Sequence, residues 1–433
     1  MMRNSSPAVM SAIQGLKLHR PTLDPLRKRL KKKREQLARL TAEIEEIESE
    51  LEQYAYPVHT LPKEIISFIF QHYVPTAPRR ASLLHRWSPI MLGHICRAWR
   101  EIALETPRLW SSFSLVITPK SKMHRILKIA RLFLERSAPA PLSFALICES
   151  RSRTEDVESM LKLLVSHISR WRDVSLCLHP LPQLSFIQGA MPLLRSVTVV
   201  SHKSGGTLVR LLDRPSWSPT ESFKLSPLLT RVRLSFEIDS YSESIPWNQL
   251  TVVQLEGISF NTLVGILRES DAMVHCRVTI APAEITHQDE LNFKRLPMIH
   301  LPYLQTLLLL SWFHLRHDPL RLPPSAHDSR GRITCLKLRL PALRILELSE
   351  NMLGSNPVNA LAALIARSGC ALDELCIRDG GRSLMEPYED AFPGIGKIRF
   401  GRLDEDERVR GVFGDRYQEW EDEAAAEVYW DGD

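Results

Sequence analysis

The chain contains seven cysteines and 15 histidines, the residue types that most often bind metals or carry out nucleophilic chemistry. No two cysteines form a C-x-x-C pair, and histidines such as His167, His179 and His314 have no partner at metal-ligand spacing. An odd, scattered set of cysteines argues for a reducing compartment and against a zinc site or a disulfide framework. The cysteines are Cys96, Cys148, Cys177, Cys276, Cys335, Cys370 and Cys376.

Sequence motifs of the common catalytic and nucleotide-binding sites are also missing. The chain has no G-x-x-x-x-G-K-[ST], G-x-G-x-x-G, H-E-x-x-H or G-x-S-x-G. The glycine pairs Gly205-Gly206 and Gly380-Gly381 lie in polar stretches and are typical of turns. We therefore expect no catalytic residue, no metal ligand and no cofactor, and we predict that the protein is not an enzyme.

Length and charge indicate several structural units. A chain of 433 residues is too long for one ordinary core. The net charge is +6, but residues 404–433 carry twelve acidic and three basic residues, a net of −9, so the rest carries +15. We find neither a signal peptide nor an apolar run long enough to span a bilayer, and we expect a cytoplasmic or nuclear protein.

The segment from Pro25 to about Tyr54 has a heptad pattern. Its apolar residues alternate at spacings of three and four, interrupted at Lys33, which predicts a coiled-coil helix with Asp24 as its N-cap and Pro25 in its first turn. The pattern residues are Leu26, Leu30, Leu37, Leu40, Ile44, Ile47, Leu51 and Tyr54. Residues 27–34 are mostly basic and 43–52 mostly acidic, so self-association would favour an antiparallel pair. The alternative for the basic stretch is a nuclear-localisation or nucleic-acid patch.

Residues 60–75 predict a second helix that is apolar on more than one side. Six of the nine residues from Ile65 to Tyr73 are apolar or aromatic, and they cover most of the helix circumference. A further helix at about Leu92 to Leu104 ends before Thr106-Pro107, and "SFSLVI" after Trp110 predicts a strand. So few short helices cannot bury this much apolar surface by themselves, which indicates a partner protein or a following domain.

The ordered set of residues here resembles the F-box family. The family pattern of L-P-x-E, an apolar helix, V-C-x-x-W-R and P-x-L-W is similar to residues 58–115. The matching residues are Leu61, Pro62, Glu64, Ile95, Cys96, Trp99, Arg100, Pro107, Leu109 and Trp110. One departure is a longer segment between the two helices, which contains Pro75 and Pro78.

This resemblance implies a helical hook for a Skp-type adaptor, which would connect the chain to a cullin–RING ubiquitin ligase. Trp99 would pack the inside of the hook, and Leu109 and Trp110 would join it to the next domain. The residues expected at the adaptor contact are Leu61, Pro62, Glu64, Ile65, Ile69, Phe70, Ile95, Cys96, Leu109 and Trp110.

A degenerate repeat follows, in which an apolar residue is followed by apolar residues at +3 and +5. Seven copies begin at Trp171, Leu194, Leu229, Leu250, Leu304, Leu343 and Leu372, with weaker copies near 273–278 and 333–338. The helix-like stretches "TLVRLLD", "NTLVGILRES" and "NALAALIARSG" lie between copies. The spacing resembles that of leucine-rich repeats, without their regular Asn position. The resemblance implies an irregular α/β solenoid with short parallel strands; the alternative is a generic α/β domain with leucine-rich strands.

We predict a mixed α/β protein with five regions. They are a disordered N-terminus (1–22), a coiled-coil helix (23–56), an F-box-like domain (57–116), a leucine-rich-repeat-like α/β solenoid (117–400) and an acidic tail (401–433). The expected function is substrate recognition for a Skp–cullin–F-box type ubiquitin ligase. The alternatives are a non-enzymatic coiled-coil and repeat scaffold, or a basic protein associated with nucleic acid.

The repeat strands also predict where a substrate would bind. Alternation along a strand sends the residue between the +3 and +5 positions to the opposite face of the sheet. This places Arg233, Lys337, Glu347 and Cys376 on that face, where we expect them to be exposed. Arg233, Lys337 and Glu347 are the candidate substrate contacts, and the basic excess favours an acidic or phosphorylated protein segment.

Overall fold

The computed structural model describes residues 20–53, 61–75, 80–84, 87–149, 152–178, 186–201, 223–235, 244–280, 297–311, 337–353, 356–378 and 386–400. The chain divides into two compact units, Met1–Ile66 and Ser67–Asp433. The predicted acidic tail and the stretch "TLVRLLD" lie outside the described residues, as do residues 1–19 of the predicted disordered segment.

The first unit contains one long helix, α1, which runs from Arg20 to Gln53. It begins five residues earlier than the heptad pattern predicted, and Pro25 lies inside it. The prediction that Asp24 is the N-cap is therefore wrong. Pro21 follows the first helical residue, where the backbone N–H has no helical partner in any case, so a proline there does not stop the helix.

Three helices and a 3₁₀ turn occupy the hook region. They are α2 (Lys63–Tyr73), which spans the boundary between the units, α3 (Pro89–Ile95), α4 (Arg97–Leu104) and the turn Pro107–Trp110. The prediction of one helix over Leu92 to Leu104 is wrong, because Cys96 has an extended backbone and its thiol accepts a hydrogen bond from the Trp99 N–H at 3.4 Å. Cys96 thus ends α3 and caps α4.

The second unit contains a parallel sheet of eleven strands. The strands are β1 (Ser112–Ile117), β2 (Leu142–Cys148), β3 (Trp171–Leu178), β4 (Ser196–Ser201), β5 (Arg231–Ser235), β6 (Val252–Ile258), β7 (His275–Ile280), β9 (Thr306–Ser311), β11 (Ile345–Ser349), β12 (Glu374–Arg378) and β13 (Lys397–Phe400). Each strand pairs with the next of these along the chain. The short strands β8 (Ile299–His300) and β10 (Leu338–Arg339) form a separate parallel pair. The prediction of a mixed α/β fold with parallel strands is confirmed.

Repeat positions align across the sheet. The +3 residues Val174, Val197, Val232 and Val253 are opposite one another on β3 to β6, and the +5 residues keep the same register. All seven copies contain a strand of the main sheet, and the weaker copy near 273–278 contains β7. β2 and β13 were not predicted. The expected boundary after residue 116 falls inside β1, the first strand of this sheet.

Helices lie in several connections between strands. They are α5 (Met123–Arg136), α6 (Thr154–Val165), α7 (Phe260–Glu269), α8 (Pro357–Ser368) and α9 (Glu386–Ala391). Two of the helix-like stretches, in α7 and α8, are helices as predicted. Ser259 caps α7 by accepting from the Thr262 N–H at 3.1 Å, and Gly369 ends α8 at φ +63°, a conformation that favours glycine.

Residues 80–84 lie along the outer edge of β1. Ser82 forms a parallel bridge with Ser114, and the Ser114 N–H donates to the Ala81 carbonyl oxygen at 2.8 Å. The Arg80 guanidinium also donates to the Asp173 carbonyl oxygen at 3.1 Å. These bonds continue the sheet beyond its first strand and cover an edge that would otherwise expose unpaired backbone groups.

Candidate functional site

One side of α2 packs inside the hook. The Phe70 ring is 1% exposed and lies 4.9 Å from the Trp99 ring of α4, measured between ring centroids. The Ser67 and Thr106 hydroxyls hydrogen-bond at 2.9 Å. This side of α2 is therefore covered by side chains of α4 and of the residues that follow it.

The opposite side of α2 is apolar and exposed. Ile65, Phe68 and Ile69 are 47%, 60% and 46% exposed, and we call these three residues the α2 patch. They lie on one face because residues three and four apart are neighbours on a helix. The Phe68 ring meets the His72 ring at 4.5 Å in an edge-on arrangement. Exposure of three large apolar side chains on one face is typical of a protein contact.

More apolar surface is exposed on α3 and in the segment before it. Ile95 and Met91 on α3 are 61% and 39% exposed, and Trp87 is 39% exposed with its ring 5.2 Å from Tyr73. The Arg100 Nε donates to the Gly93 carbonyl oxygen at 2.7 Å, which holds α3 against α4. α3 and the end of α2 therefore both present apolar groups to solvent.

The structure divides the predicted adaptor contacts into two groups. Exposed residues are Leu61, Pro62, Glu64, Ile65, Ile69 and Ile95, while Cys96 is half-buried as the cap of α4. Phe70, Leu109 and Trp110 are buried within the chain, so the expectation that their side chains contact an adaptor is wrong. Phe68 was not among the predicted adaptor contacts. Its spacing of three from Ile65, which places both side chains on one face of the helix, could have identified it.

Trp110 connects the hook to the first helix of the sheet region. Its indole Nε1 donates to the Ala103 carbonyl oxygen at 2.8 Å, and its ring lies 5.0 Å from the Phe133 ring of α5. The Arg136 guanidinium lies 4.5 Å above the same ring. Trp110 therefore packs between the end of α4 and α5, the joining position that the family resemblance implied.

The predicted substrate residues lie in different environments. Lys337 is exposed, whereas the Arg233 side chain is 16% exposed and pairs with Glu256 at 3.2 Å. Glu347 is fully buried in an ion pair with Arg378, and Cys376 is buried, where desolvation raises the pKa of its thiol to about 12. The prediction that Glu347 and Cys376 are exposed is wrong. Alternation separates the two faces of a strand, but both faces of β11 and β12 are buried.

Exposed positive charge lies instead where β3, β4 and β5 begin. Arg172, Arg195 and Arg231 are exposed, and we call them the arginine row. Their backbones are adjacent, since the Arg195 N–H donates to the Arg172 carbonyl oxygen at 2.8 Å and the Arg231 N–H donates to the Arg195 carbonyl oxygen at 3.1 Å. Arg172 also pairs with Asp173 at 2.8 Å.

The arginine row continues toward a partly buried histidine on β7. Burial, and after it the charge of Arg231, hold the pKa of His275 below its usual value. His275 Nδ1 lies 3.1 Å from the Thr306 hydroxyl. The histidine is therefore neutral at pH 7, so Arg231 supplies the positive charge at this end of the row.

Metal-binding clusters are not found in the part of the chain that the structure describes. No group of three or more His, Cys, Asp or Glu side chains there could hold a metal ion. No helix among the described residues is long and apolar enough to cross a membrane. Burial raises the pKa of the Cys276 thiol to about 12, which makes it a poor nucleophile.

No protein-family model matches this chain, and no curated protein matches it at a significant level.

Proposed function

We propose that the chain is the substrate-recognition subunit of a Skp–cullin–F-box type ubiquitin ligase. In this proposal the α2 patch, together with Leu61, Pro62 and Ile95, binds the adaptor. The sheet region then acts as a leucine-rich-repeat-like receptor for a protein substrate. The chain itself carries out no chemistry and brings the substrate to the ligase.

One observation carries the adaptor proposal: α2 is apolar on two opposite sides, and only one side is covered. Phe70 packs against Trp99, while the α2 patch is exposed. Burying three large apolar side chains is worth about 1.5–3 kcal/mol each, which provides a reason for a partner to bind there.

The strand arrangement supports the repeat part of the proposal. Adjacent strands in the main sheet follow chain order and run parallel, with the +3 residues in register. In repeat solenoids each unit contacts mainly its neighbours in sequence, which gives the same order of strands. The variable connections between strands are also typical of degenerate repeats.

The charges support an acidic or phosphorylated protein segment as the substrate. The arginine row supplies three guanidinium groups on neighbouring strands, and Lys337 adds a further exposed positive charge. Guanidinium groups bind carboxylates and phosphates through paired hydrogen bonds. Arg233 and Glu347 lie in ion pairs with little or no exposed surface, whereas the arginine row is exposed, so the row replaces them as the main candidate contact.

The adaptor proposal is tested by placing charge in the α2 patch. We expect Phe68→Asp with Ile69→Asp to weaken binding of a purified Skp-type adaptor by at least about a hundredfold, because each carboxylate would be buried without a partner. Isothermal titration calorimetry on the full chain measures the loss. Phe70→Asp is unsuitable because Phe70 is buried, and the change would unfold the hook.

Leu225→Asp with Leu228→Asp provides the matched control. These side chains are 60% and 43% exposed, but they lie just before β5 and outside the hook. The control variant should bind the adaptor as the unmodified chain does. Adaptor affinity that is unchanged by the α2 substitutions, in a chain with an unchanged circular dichroism spectrum, would refute the adaptor proposal.

A further inference from the structure

The long helix α1 exposes an apolar stripe along most of its length. Eight large apolar side chains on it are between 46% and 67% exposed. They are Leu23, Leu26, Leu30, Leu37, Leu40, Ile44, Ile47 and Leu51. An isolated helix with such a stripe is poorly stabilised in water, since most helical stability comes from packing an apolar face. The stripe therefore requires an occupant.

The stripe fits the heptad of a two-stranded coiled coil. Leu23, Leu30, Leu37, Ile44 and Leu51 fall at heptad position a, where seven residues separate each from the next. Leu26, Lys33, Leu40 and Ile47 fall at position d. Residues at a and d form the seam between paired helices, and the positions beside them, e and g, carry charges that select the partner and its direction.

The flanking charges change sign along the helix. At position e the residues are Arg27, Arg34, Thr41 and Glu48, and at position g they are Arg29, Gln36, Glu43 and Glu50. Each set begins with arginine and ends with glutamate, and each contains one uncharged residue, Thr41 or Gln36. A partner of complementary charge must therefore be acidic beside the first half of α1 and basic beside the second half.

We propose that the occupant is α1 of a second copy of this chain, paired antiparallel over most of the helix. In this register Leu37 lies opposite the partner's Leu40 and Leu30 lies opposite the partner's Ile47. Leu26 then lies opposite the partner's Leu51. The twofold axis passes between residues 38 and 39, so residues 24–53 of the 34-residue helix overlap with the same residues of the partner.

This register places no like charges together at the e and g contacts. Arg27 lies beside the partner's Glu48, and Arg29 lies beside the partner's Glu50. The remaining contacts, Arg34 with the partner's Thr41 and Gln36 with the partner's Glu43, involve no like charges. Each pair occurs twice because the dimer is symmetric, which gives four opposite-charge pairs and no repulsion.

A parallel pair of the same helices would be repulsive. It would place Lys33 opposite the partner's Lys33 in the core and Arg29 beside the partner's Arg34. Glu43 would lie beside the partner's Glu48. In the antiparallel register Lys33 instead lies opposite the partner's Ile44, where its aliphatic stem covers the apolar layer and its ammonium group reaches solvent.

Sedimentation equilibrium of the full chain tests the dimer. We expect a dimer at micromolar concentration and a monomer for Leu37→Asp with Leu40→Asp, which places four carboxylates in the central layers. Ala38→Asp with Ala42→Asp is the matched control, because these exposed positions lie outside the seam. It should remain a dimer. A monomeric unmodified chain at tens of micromolar, or a dimer that survives the seam substitutions, would overturn the proposal.

A single charge reversal tests the orientation, since the two arrangements predict opposite effects. Arg29→Glu faces the partner's Glu50 in the antiparallel pair and should raise the dimer dissociation constant about tenfold. In a parallel pair it would face the partner's Arg34 and tighten the dimer. Adding Glu50→Arg should restore the antiparallel dimer. Tightening by Arg29→Glu, or a dimer lost on nuclease treatment, would exclude the proposed pair.

The inference does not depend on the proposed adaptor binding. All of the seam residues precede Leu61, the first residue expected at the adaptor contact. A chain that dimerises and fails to bind the adaptor would leave the dimer established and the proposed function wrong.

Discussion

Glu347 and Arg378 form an ion pair that is buried within the sheet region. Their side chains are 0% and 3% exposed, and they lie on the adjacent strands β11 and β12. Removing two charges from water costs several kcal/mol per ion, and the cost is recovered only while each charge keeps its partner. The pair is therefore a structural element and not an exposed recognition site.

The buried ion pair predicts that substitutions of Glu347 and Arg378 have strongly non-additive effects on the free energy of unfolding. Glu347→Ala should lower the free energy of unfolding by about 3–5 kcal/mol, because it leaves the Arg378 guanidinium buried without this carboxylate. Glu347→Leu with Arg378→Met should recover most of that loss, since neither charge remains. Urea denaturation of the three proteins measures the difference. Equal losses in the single and double variants would show that the pair is not the source of the stability.

The positions of Phe68, Phe70 and Glu347 show what sequence alone could assign in the candidate site. The apolar pattern of α2 indicated apolar side chains on more than one side of the helix; in the structure one side is covered and the other is exposed. It could not show which side packs inside, because Phe68 and Phe70 are equally apolar. In the same way, alternation placed Glu347 on the face of β11 opposite to Leu346 and Leu348, but the sequence contains no signal that this face is also buried.

Cys96 controls where one helix ends and the next begins. Its extended backbone separates α3 from α4, and its sulfur accepts the Trp99 N–H at 3.4 Å. The same break fixes the position of Trp99, whose ring packs on Phe70. The cysteine of the F-box-like motif therefore has a structural role in this chain, as an N-cap.

We expect substitutions of Cys96 to change the stability of the protein in a definite order. Cys96→Ala should destabilise the protein by about 0.5–2 kcal/mol, because the Trp99 N–H loses its acceptor. Cys96→Ser should be at least as stable as the unmodified chain, since the serine hydroxyl is a better N-cap acceptor than a thiol. Chemical denaturation of both variants provides the comparison. A serine variant as unstable as the alanine variant would show that the cap has no energetic role.

Strands were easier to predict than the helices between them. The +3 and +5 spacing identified β3 to β6 because each strand keeps its own apolar pattern next to a turn. β2, with the sequence "LSFALIC", is buried at every position and has no alternation to recognise. The break at Cys96 was missed because cysteine is not among the common N-cap residues. The apolar pattern of α3 and α4 therefore predicted one continuous helix.

At the scale of the whole molecule, the exposed apolar side chains and the arginine row belong to different elements. The apolar surface is concentrated in α1 and in the hook, while the arginine row lies at the start of β3 to β5. Under the proposed function, the exposed apolar side chains of the hook would bind the adaptor and the arginine row would bind the substrate.

The substrate proposal predicts salt-sensitive binding of acidic peptides. We expect the full chain to bind a fluorescein-labelled poly-glutamate peptide and its phosphoserine counterpart, as measured by fluorescence anisotropy. Arg195→Glu with Arg231→Glu should abolish this binding, and salt should weaken it, as the screening length falls from about 10 Å at 0.1 M to about 3 Å at 1 M.

Arg344→Glu serves as the control. Arg344 is also exposed next to the start of a strand, but that strand is β11 and not one of β3 to β5, and Arg344 pairs with Asp373 at 3.7 Å. Its reversal should leave peptide binding intact. Binding that survives reversal of Arg195 and Arg231, or that does not respond to salt, would contradict the assignment of the arginine row.

The repeat positions of neighbouring strands align although the connections differ in length. β6 and β7 are joined by residues 259–274, which include α7, whereas residues 202–230 join β4 and β5. In both pairs the +3 residues are opposite one another. An insertion in a connection therefore leaves the hydrogen bonds of neighbouring strands intact. Evolution can then duplicate a strand with its connection, or lengthen a loop, and change the surface of the sheet region without redesigning its core.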